Sequence, residues 1–454
     1  MRLRPAVIIT TIFAGLGSAA WWVTAQTVAP PAKAASPLAT AAPAAKAASP
    51  VSAAAPAPAL PPPIATVPGM PGVPDRNNLY SEVAPDRMSP NVAGALERVY
   101  VPNRQAHTVS VIDPATLKVI DTFKVGIHPQ HVVPSWDLRV LWVANNAEGR
   151  PDGSLTEVDP KTGKPGKTIP VDDPYNMYYS PDGKYAIVVA EAFKRLDFRN
   201  PVTWAVEFTI PTPKCKGINH ADFSIDGKYA LFTCEFDGGI TKIDLVNRTV
   251  VDTIKLTQYF DRPDALAAIA KPGKKPAKIP DPSQIGGTIC TTPGMPQDVR
   301  ASPDGKLFFV ADMMADGVHV VDGEAFKQVG FIPTGVGTHG LYPSRDGKQL
   351  YVANRGVNKV YGAPKGKGSV SVIDFATMKV VHTWPVPGGG SPDMGNVSTD
   401  GKYLWLSGRF DDVVYRIDTT NGNFDKIKVG REPHGLTVWP QPGRYSLGHT
   451  GNLR

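Results

Sequence analysis

Four of the nine histidines occupy equivalent places in the chain. His131, His220, His339 and His434 each open a short strand-like segment, and Asn176, Asp298 and Asp393 open three more of the same kind. Each such segment has a partner ending in a second polar group: Asn145, Glu191, Glu235, Asp312, Asn354, Arg409 and, from the other end of the chain, Asn103. Imidazoles beside carboxylates bind transition metals, ligate haem iron or work as acid and base. The expected cofactor class is thus a divalent metal or haem, with His220, Glu235 and His339 as metal ligands. One hairpin would bring His220 to Glu235, and another would bring Asp298 to Asp312. Arg355 and Arg409 have the forked donors that hold an anion such as a carboxylate. The competing role is structural, since polar residues at strand starts also satisfy loop backbone groups. His107, His128 and His382 read as surface or turn residues, and Met313-Met314 as packing.

These groups meet only if the chain between them repeats. The turn triplet Asp-Gly-Lys begins at Asp182, Asp226, Asp304, Asp346 and Asp400, with altered forms at Asp137-Leu138-Arg139 and Pro442-Gly443-Arg444. The steps between first residues are 45, 44, 78, 42, 54 and 42, a period near 43 with two insertions. Asp and Gly supply the turn, because Asp bonds its own backbone and Gly adopts positive φ without a Cβ penalty. Strand-forming runs such as Leu350-Tyr351-Val352 follow each triplet, and a third strand commonly ends in Ile-Asp, as in Ile112-Asp113 and Ile373-Asp374. Four antiparallel strands per period make one blade of a β-propeller. Arg98 to Asn103 is a second strand with no first strand before it, and Pro433 to Trp439 is a first strand with no blade after it. Joined, they form a composite blade that closes an all-β, seven-bladed ring. First strands line the channel of such a ring, so the polar groups above should share one channel mouth.

Leu350-Tyr351-Val352-Ala353-Asn354, Val99-Tyr100-Val101-Pro102-Asn103 and Leu141-Trp142-Val143-Ala144-Asn145 resemble the repeat of YVTN-type, YncE-like seven-bladed propellers. That group is related to the cytochrome d1 haem domain of nitrite reductases. The resemblance spans roughly Leu96 to Trp439 and implies the fold. It leaves the activity open, because propellers host unrelated chemistries. Relation to the haem-domain proteins implies service in a redox or cofactor pathway.

The longer insertion falls within Thr257 to Pro296 and holds a short helical stretch, Pro263 to Ala270, then Lys271, Lys274, Lys275 and Lys278. The shorter, Gly356 to Gly368, is glycine-rich, and both should emerge at the polar mouth. Cys215, Cys234 and Cys290 should lie in one sector of that mouth, close enough for one disulfide whose pair the sequence leaves open, and no Cys-x-x-Cys-His signals a covalent haem. The tail from Arg444 to Arg454 reads as a frayed end, with His449 as a residue able to fold back onto a channel mouth.

The N-terminus differs in kind. Arg2 and Arg4 precede an uncharged apolar stretch from Pro5 to Ala25, a signal peptide or membrane anchor. Residues 26–75 are an Ala/Pro-rich disordered linker, and 76–454 form the propeller. Residues 1–72 carry +4 of the +7 net charge, so the basic character resides largely in the tail and a nucleic-acid partner gains no support. The expectation is an exported, periplasmic, monomeric scaffold that binds a small ligand or docks a protein, with an N-terminal tether. The competing readings are a metal-assisted hydrolase of the propeller lactonase type, built on Glu191, Glu235, Asp298 and Asp312, and a non-covalent haem electron carrier.

Overall fold

A computed structural model of the protein describes residues 62–258, 294–449 and 451–454. The turn triplets recur with one set of bonds. In the turn at Asp182, the Asp182 carboxylate accepts from Ser180 Oγ at 2.6 Å and Lys184 N at 3.2 Å, while Ser180 Oγ accepts from Tyr185 N at 3.0 Å. Gly183 sits at φ 72°, where a side chain would be strained. The same Ser-x-Asp bonding closes the turns at Ser224, Ser302, Ser344 and Ser398. Even the degenerate copy keeps it, with Ser135 on Asp137.

Each turn joins two antiparallel strands, and the strands assemble into seven separate four-stranded antiparallel sheets. The blade starting at Pro129–Pro134 shows the radial order. Pro129–Pro134 and Leu141–Asn145 are buried throughout, Ser154–Asp159 alternates, and Lys164–Pro170 is largely exposed. The second strands therefore read as largely apolar runs, the innermost strands bury polar residues among apolar ones, and the outer strands are exposed. The closing blade is built from both ends: Thr437–Trp439 pairs with Arg98–Asn103 in the register Arg98 to Trp439, Val99 to Val438 and Tyr100 to Thr437. The seam covers the edge of Arg98–Asn103 that would otherwise lack a partner.

Two further segments add to the ring. Residues 62–97 run along the face that carries the Asp-Gly-Lys turns. Val67 N donates to Asp226 O at 3.0 Å, Leu79 N to Pro303 O at 2.7 Å, and Tyr80 Oη to Ala301 O at 2.6 Å. Leu79, Tyr80, Val83 and Val92 are buried with the core. Packed chain thus begins before the linker boundary read at residue 75. The C-terminal tail is not frayed. Tyr179 N donates to Leu447 O at 3.0 Å, His449 N donates to Met177 O at 3.0 Å, and the Arg454 guanidinium bonds Asp222. The tail enters the channel from the turn face.

Cys215 and Cys234 form a buried disulfide with Cα atoms 4.8 Å apart. Cys290, the lysine run and the expected helical stretch lie outside the described residues, as does the apolar stretch 5–25. Among the described residues, no helix is long and apolar enough to cross a membrane.

Inner strands approach closely. A Cβ on Gly395 would stand 1.7 Å from Trp405 O. Gly395→Ala is therefore expected to cost at least 1–3 kcal/mol, roughly the penalty of overpacking a core, read as a lower urea midpoint at unchanged slope.

Candidate functional site

The inner strands are not regular where the polar residues stand. Pairing slips between Pro129 and His131, Pro174 and Asn176, Ile218 and Ala221, Pro296 and Val299, Thr338 and Leu341, and Pro392 and Gly395. Each slip brackets or ends on a candidate residue: His131, Asn176, His220, Asp298, His339 or Asp393. A bulge of this kind re-aims a side chain, here into the channel. His434 reaches the same space from the closing strand, its N–H donating to Pro102 O at 3.0 Å.

Asp393 organises one side of this space. Its Oδ1 accepts from Arg355 Nε at 2.7 Å, and its Oδ2 accepts from His434 Nδ1 at 2.6 Å. Arg355 also donates from its second nitrogen to His339 Nε2 at 2.7 Å. That bond consumes the His339 lone pair and puts its proton on Nδ1, 3.0 Å from Asp393 Oδ1 though not aligned for a hydrogen bond. Burial would raise the Asp393 pKa, but Arg355, His339 and Arg409 outweigh it and hold the carboxyl below its ordinary range.

The other side is a cluster of rings. His131 has His434, His449, His220 and Tyr175 at centroid distances of 4.8, 5.0, 5.3 and 5.4 Å. Tyr175 Oη lies 3.4 Å from both His220 Nε2 and His434 Nε2. Asn176 Nδ2 meets His449 Nδ1 at 2.8 Å and His220 Nδ1 at 3.3 Å. His449 Nε2 stands 3.4 Å from Asp298 Oδ1, and that carboxylate also accepts from Arg300 at 2.8 Å and from Leu341 N at 2.9 Å. A nitrogen from each of His131, His220 and His449 falls within 4.8 Å of the others. All three are fully buried, and neither ring nitrogen of His131 has a hydrogen-bond partner.

Burial, foremost, holds His131, His220, His339, His434 and His449 well below the usual imidazole range. For His131, the neighbouring imidazoles of His434 and His449 push the same way. The cluster is therefore neutral at pH 7, the form that binds a metal. Nearer the mouth, Glu191 and Glu235 hydrogen-bond to each other, which requires a proton between them. Both carboxyls are raised by burial first, and the Glu235 charge raises Glu191 further. Tyr175, raised by burial, faces this pair. The shorter insertion roofs it: Val360 and Tyr361 pack with Met295, Met313 and Met314.

The sequence-derived set thus divides. His131, His220, His339, His434, Asp298, Asp393, Arg355 and Arg409 converge on the channel. Glu235 turns away from the metal arrangement expected with His220 and His339, toward Glu191 and Asn219 Nδ2 at 3.1 Å. Asp312 does not pair with Asp298. It accepts three backbone N–H groups, from Met295, Met314 and Ala315, and faces His319 at 3.1 Å. Asn354, Asn145 and Asn103 donate to third-strand hydroxyls of Ser371, Thr156 and Ser110 at 3.0, 3.0 and 2.9 Å, a structural bond repeated in three blades. Tyr175 went unremarked in the sequence, although it is the unpaired residue of the bulge between Pro174 and Asn176. Arg104 and Tyr361 also went unremarked, although Arg104 follows Asn103 as Arg355 follows Asn354; Tyr361 lies in an insertion and has no repeat position.

A sequence profile of the YNCE-like beta-propeller family matches residues 81–207 and 282–442. The chain belongs to that family. No curated protein matches it. Among solved structures, a 6-phosphogluconolactonase candidate from Bacteroides uniformis is 16% identical over 75% of this chain and 98% of its own, with a TM-score of 0.55. A functionally unknown protein from Desulfotomaculum acetoxidans is 13% identical over 76% and 99%, with a TM-score of 0.54. The dihydro-heme d1 dehydrogenase NirN, in complex with DHE, is 15% identical over 78% and 77%, with a TM-score of 0.50. At these identities the likeness extends to the propeller alone. This YNCE-like propeller carries its polar cluster on its own residues.

The depressed histidines set the acid side of stability. Their folded pKa values lie below the unfolded value of about 6.5, so the unfolded chain binds more protons below that pH and stability falls as pH falls. Glu191, Glu235 and Asp173, the last raised by burial to about 6, act oppositely; their contribution is lost as pH rises through the folded values. The urea midpoint should drop from pH 6.5 to pH 5. Between pH 6 and 8 a Glu191→Gln variant should lose less stability than the wild type. Midpoints independent of pH in both proteins would mean that these groups are solvated.

Proposed function

We propose that this propeller is an extracytoplasmic binding scaffold whose channel holds a first-row transition-metal ion on His131, His220 and His449. The observation that carries this reading is His131, an imidazole with no exposed surface and with neither nitrogen hydrogen-bonded. An unsatisfied buried polar group costs about 1–3 kcal/mol, and His131 has two. A metal coordinated through one nitrogen relieves part of that cost. Three neutral imidazoles match the donor preference of zinc, copper, nickel or iron and leave room in the coordination shell for a further ligand. Asn176 Nδ2 donates to Nδ1 of both His220 and His449, so those bonds would have to give way for the two rings to turn lone pairs to the metal.

Export is supported by the basic and apolar N-terminus and by the Cys215–Cys234 disulfide, which suits an oxidising compartment. A periplasmic ligand-binding or docking role in a redox or cofactor pathway fits a metal held this way. The lactonase-type alternative draws less support, because Asp298 and Asp312 are committed to Arg300, His319 and backbone N–H groups.

The test is metal analysis and absorption spectroscopy of protein purified from the compartment it is exported to. One equivalent of a first-row metal is expected, with a thermal midpoint that falls on chelation and recovers on reloading. His131→Gln should abolish stoichiometric metal while keeping the far-ultraviolet signature of the propeller. A Soret band would replace this reading with haem binding. Protein that neither carries nor takes up metal would end it.

A further inference from the structure

Arg409 is 2% exposed, and its Nε and one terminal nitrogen have no hydrogen-bond partner. Its nearest carboxylate oxygen is Asp393 Oδ2, 3.9 Å away. That oxygen already accepts from His434, and the other already accepts from Arg355. Two buried guanidiniums thus face one carboxylate whose lone pairs are largely spoken for. A buried charge without a partner is strongly unfavourable, so the arrangement is incomplete by one negative charge.

The neighbours do not supply it. Arg104 stands across the Tyr361 ring, with its guanidinium carbon 4.2 Å from the ring centroid and that of Arg409 at 6.0 Å. Arg104 has carboxylates of its own in Glu432, at 2.6 Å, and Glu148. Glu191 and Glu235 are bound to each other, and among the described residues neither forms an ion pair with Arg409, whose one such contact is Asp393. The place is also walled. Asn358 Nδ2 donates to Met313 O at 2.6 Å and Asp316 Oδ1 at 2.9 Å, which pins the insertion that holds Tyr361 over Arg409.

We propose that the channel mouth binds a small planar oxyanion of the carboxylate class on Arg409, beneath Tyr361 and beside Asp393. A planar fork of donors matches a carboxylate in geometry and charge. The site lies next to Tyr175 and His434 but does not depend on a metal at the histidines.

The experiment uses sodium acetate and sodium oxalate as probes at fixed ionic strength, with acetamide as the neutral control. Calorimetric titration and thermal midpoints are read on the full chain. The wild type should bind the anions and ignore acetamide, and Arg409→Gln should weaken binding at least tenfold. Arg409→Lys, which keeps the charge but not the fork, should fall between them and covers the case in which the glutamine variant does not fold. Without ligand, Arg409→Gln should unfold at the same or a higher temperature than the wild type. Arg355→Gln should unfold at a lower one, because it strips Asp393 of its bonded partner. The titration is repeated on metal-stripped protein and on His131→Gln. Anion binding that persists there assigns the site to Arg409 whether or not a metal centre exists. Binding that vanishes with the metal, or that survives Arg409→Gln unchanged, overturns the proposal. So does an Arg409→Gln variant that fails to bind and is as destabilised as Arg355→Gln, since Arg409 would then be a structural partner of Asp393.

Discussion

Closure of the ring at one seam is the constraint on which the rest of this structure depends. Three residues, Thr437–Trp439, pair with Arg98–Asn103 and turn a row of sheets into a closed propeller. The same seam sets His434 against Asp393 and His131, through Gly435 N to Gln130 O at 2.8 Å and Val132 N to Gly435 O at 3.0 Å. A residue near the end of the chain and one from the first complete blade become neighbours only because the ring closes. The fit is tight: a Cβ on Gly435 would stand 2.0 Å from His131 Nδ1. Ring stability and site geometry are therefore one property, since slippage at the seam would separate the rings.

Within the closed ring, the bulges decide what the channel contains. A regular inner strand would alternate its side chains between the two faces of its blade. The register slip at each strand start frees one or two residues from pairing and sends a polar group inward. The backbone N–H groups just past the slips then need acceptors, and the preceding blade supplies them. Ala221 N donates to Tyr178 Oη, Ala301 N to Asp222, Leu341 N to Asp298 and Gly395 N to Tyr342 Oη, at 2.7, 2.8, 2.9 and 2.7 Å. Asp298 thus ties two blades together and also faces His449. Blade-to-blade cohesion and the polar channel are made by the same residues, so the channel cannot be emptied of polar groups without loosening the ring.

The fold was legible because its cause is local. Ser-x-Asp-Gly-Lys encodes a turn by bonds among five residues, and counting such turns counts blades. The composite blade followed from two half-motifs at the chain ends. The site was legible only where it shares that period, which is why His131, His220, His339, His434, Asp298 and Asp393 could be aligned. Period also misled. In the strand register Asn354 and Asp312 match Cys234, one residue before Glu235, and each bonds into its own blade, Asn354 to Ser371 and Asp312 to His319. Tyr361 and His449 are off-period, one in an insertion and one in the tail. Their roles depend on where irregular chain crosses the ring, which no repeat encodes.

Those two irregular segments explain why the chemistry of the channel differs from that of seven exposed loops. The tail brings His449 in from the turn face, and the insertion sets Tyr361 over the opposite mouth. Between them the imidazoles lose water, and desolvation keeps them neutral. A surface histidine cluster must give up protons to take a metal near neutrality, whereas this one has already done so through folding. The cost appears elsewhere, as orphaned nitrogens on His131 and a guanidinium on Arg409 that lacks its own counter-charge. Burial creates both deficits, and they differ in sign. The imidazoles present lone pairs suited to a cation, and the guanidinium presents donors suited to an anion. Adjacent deficits of opposite kind are what the proposed metal and the proposed anionic ligand would each relieve.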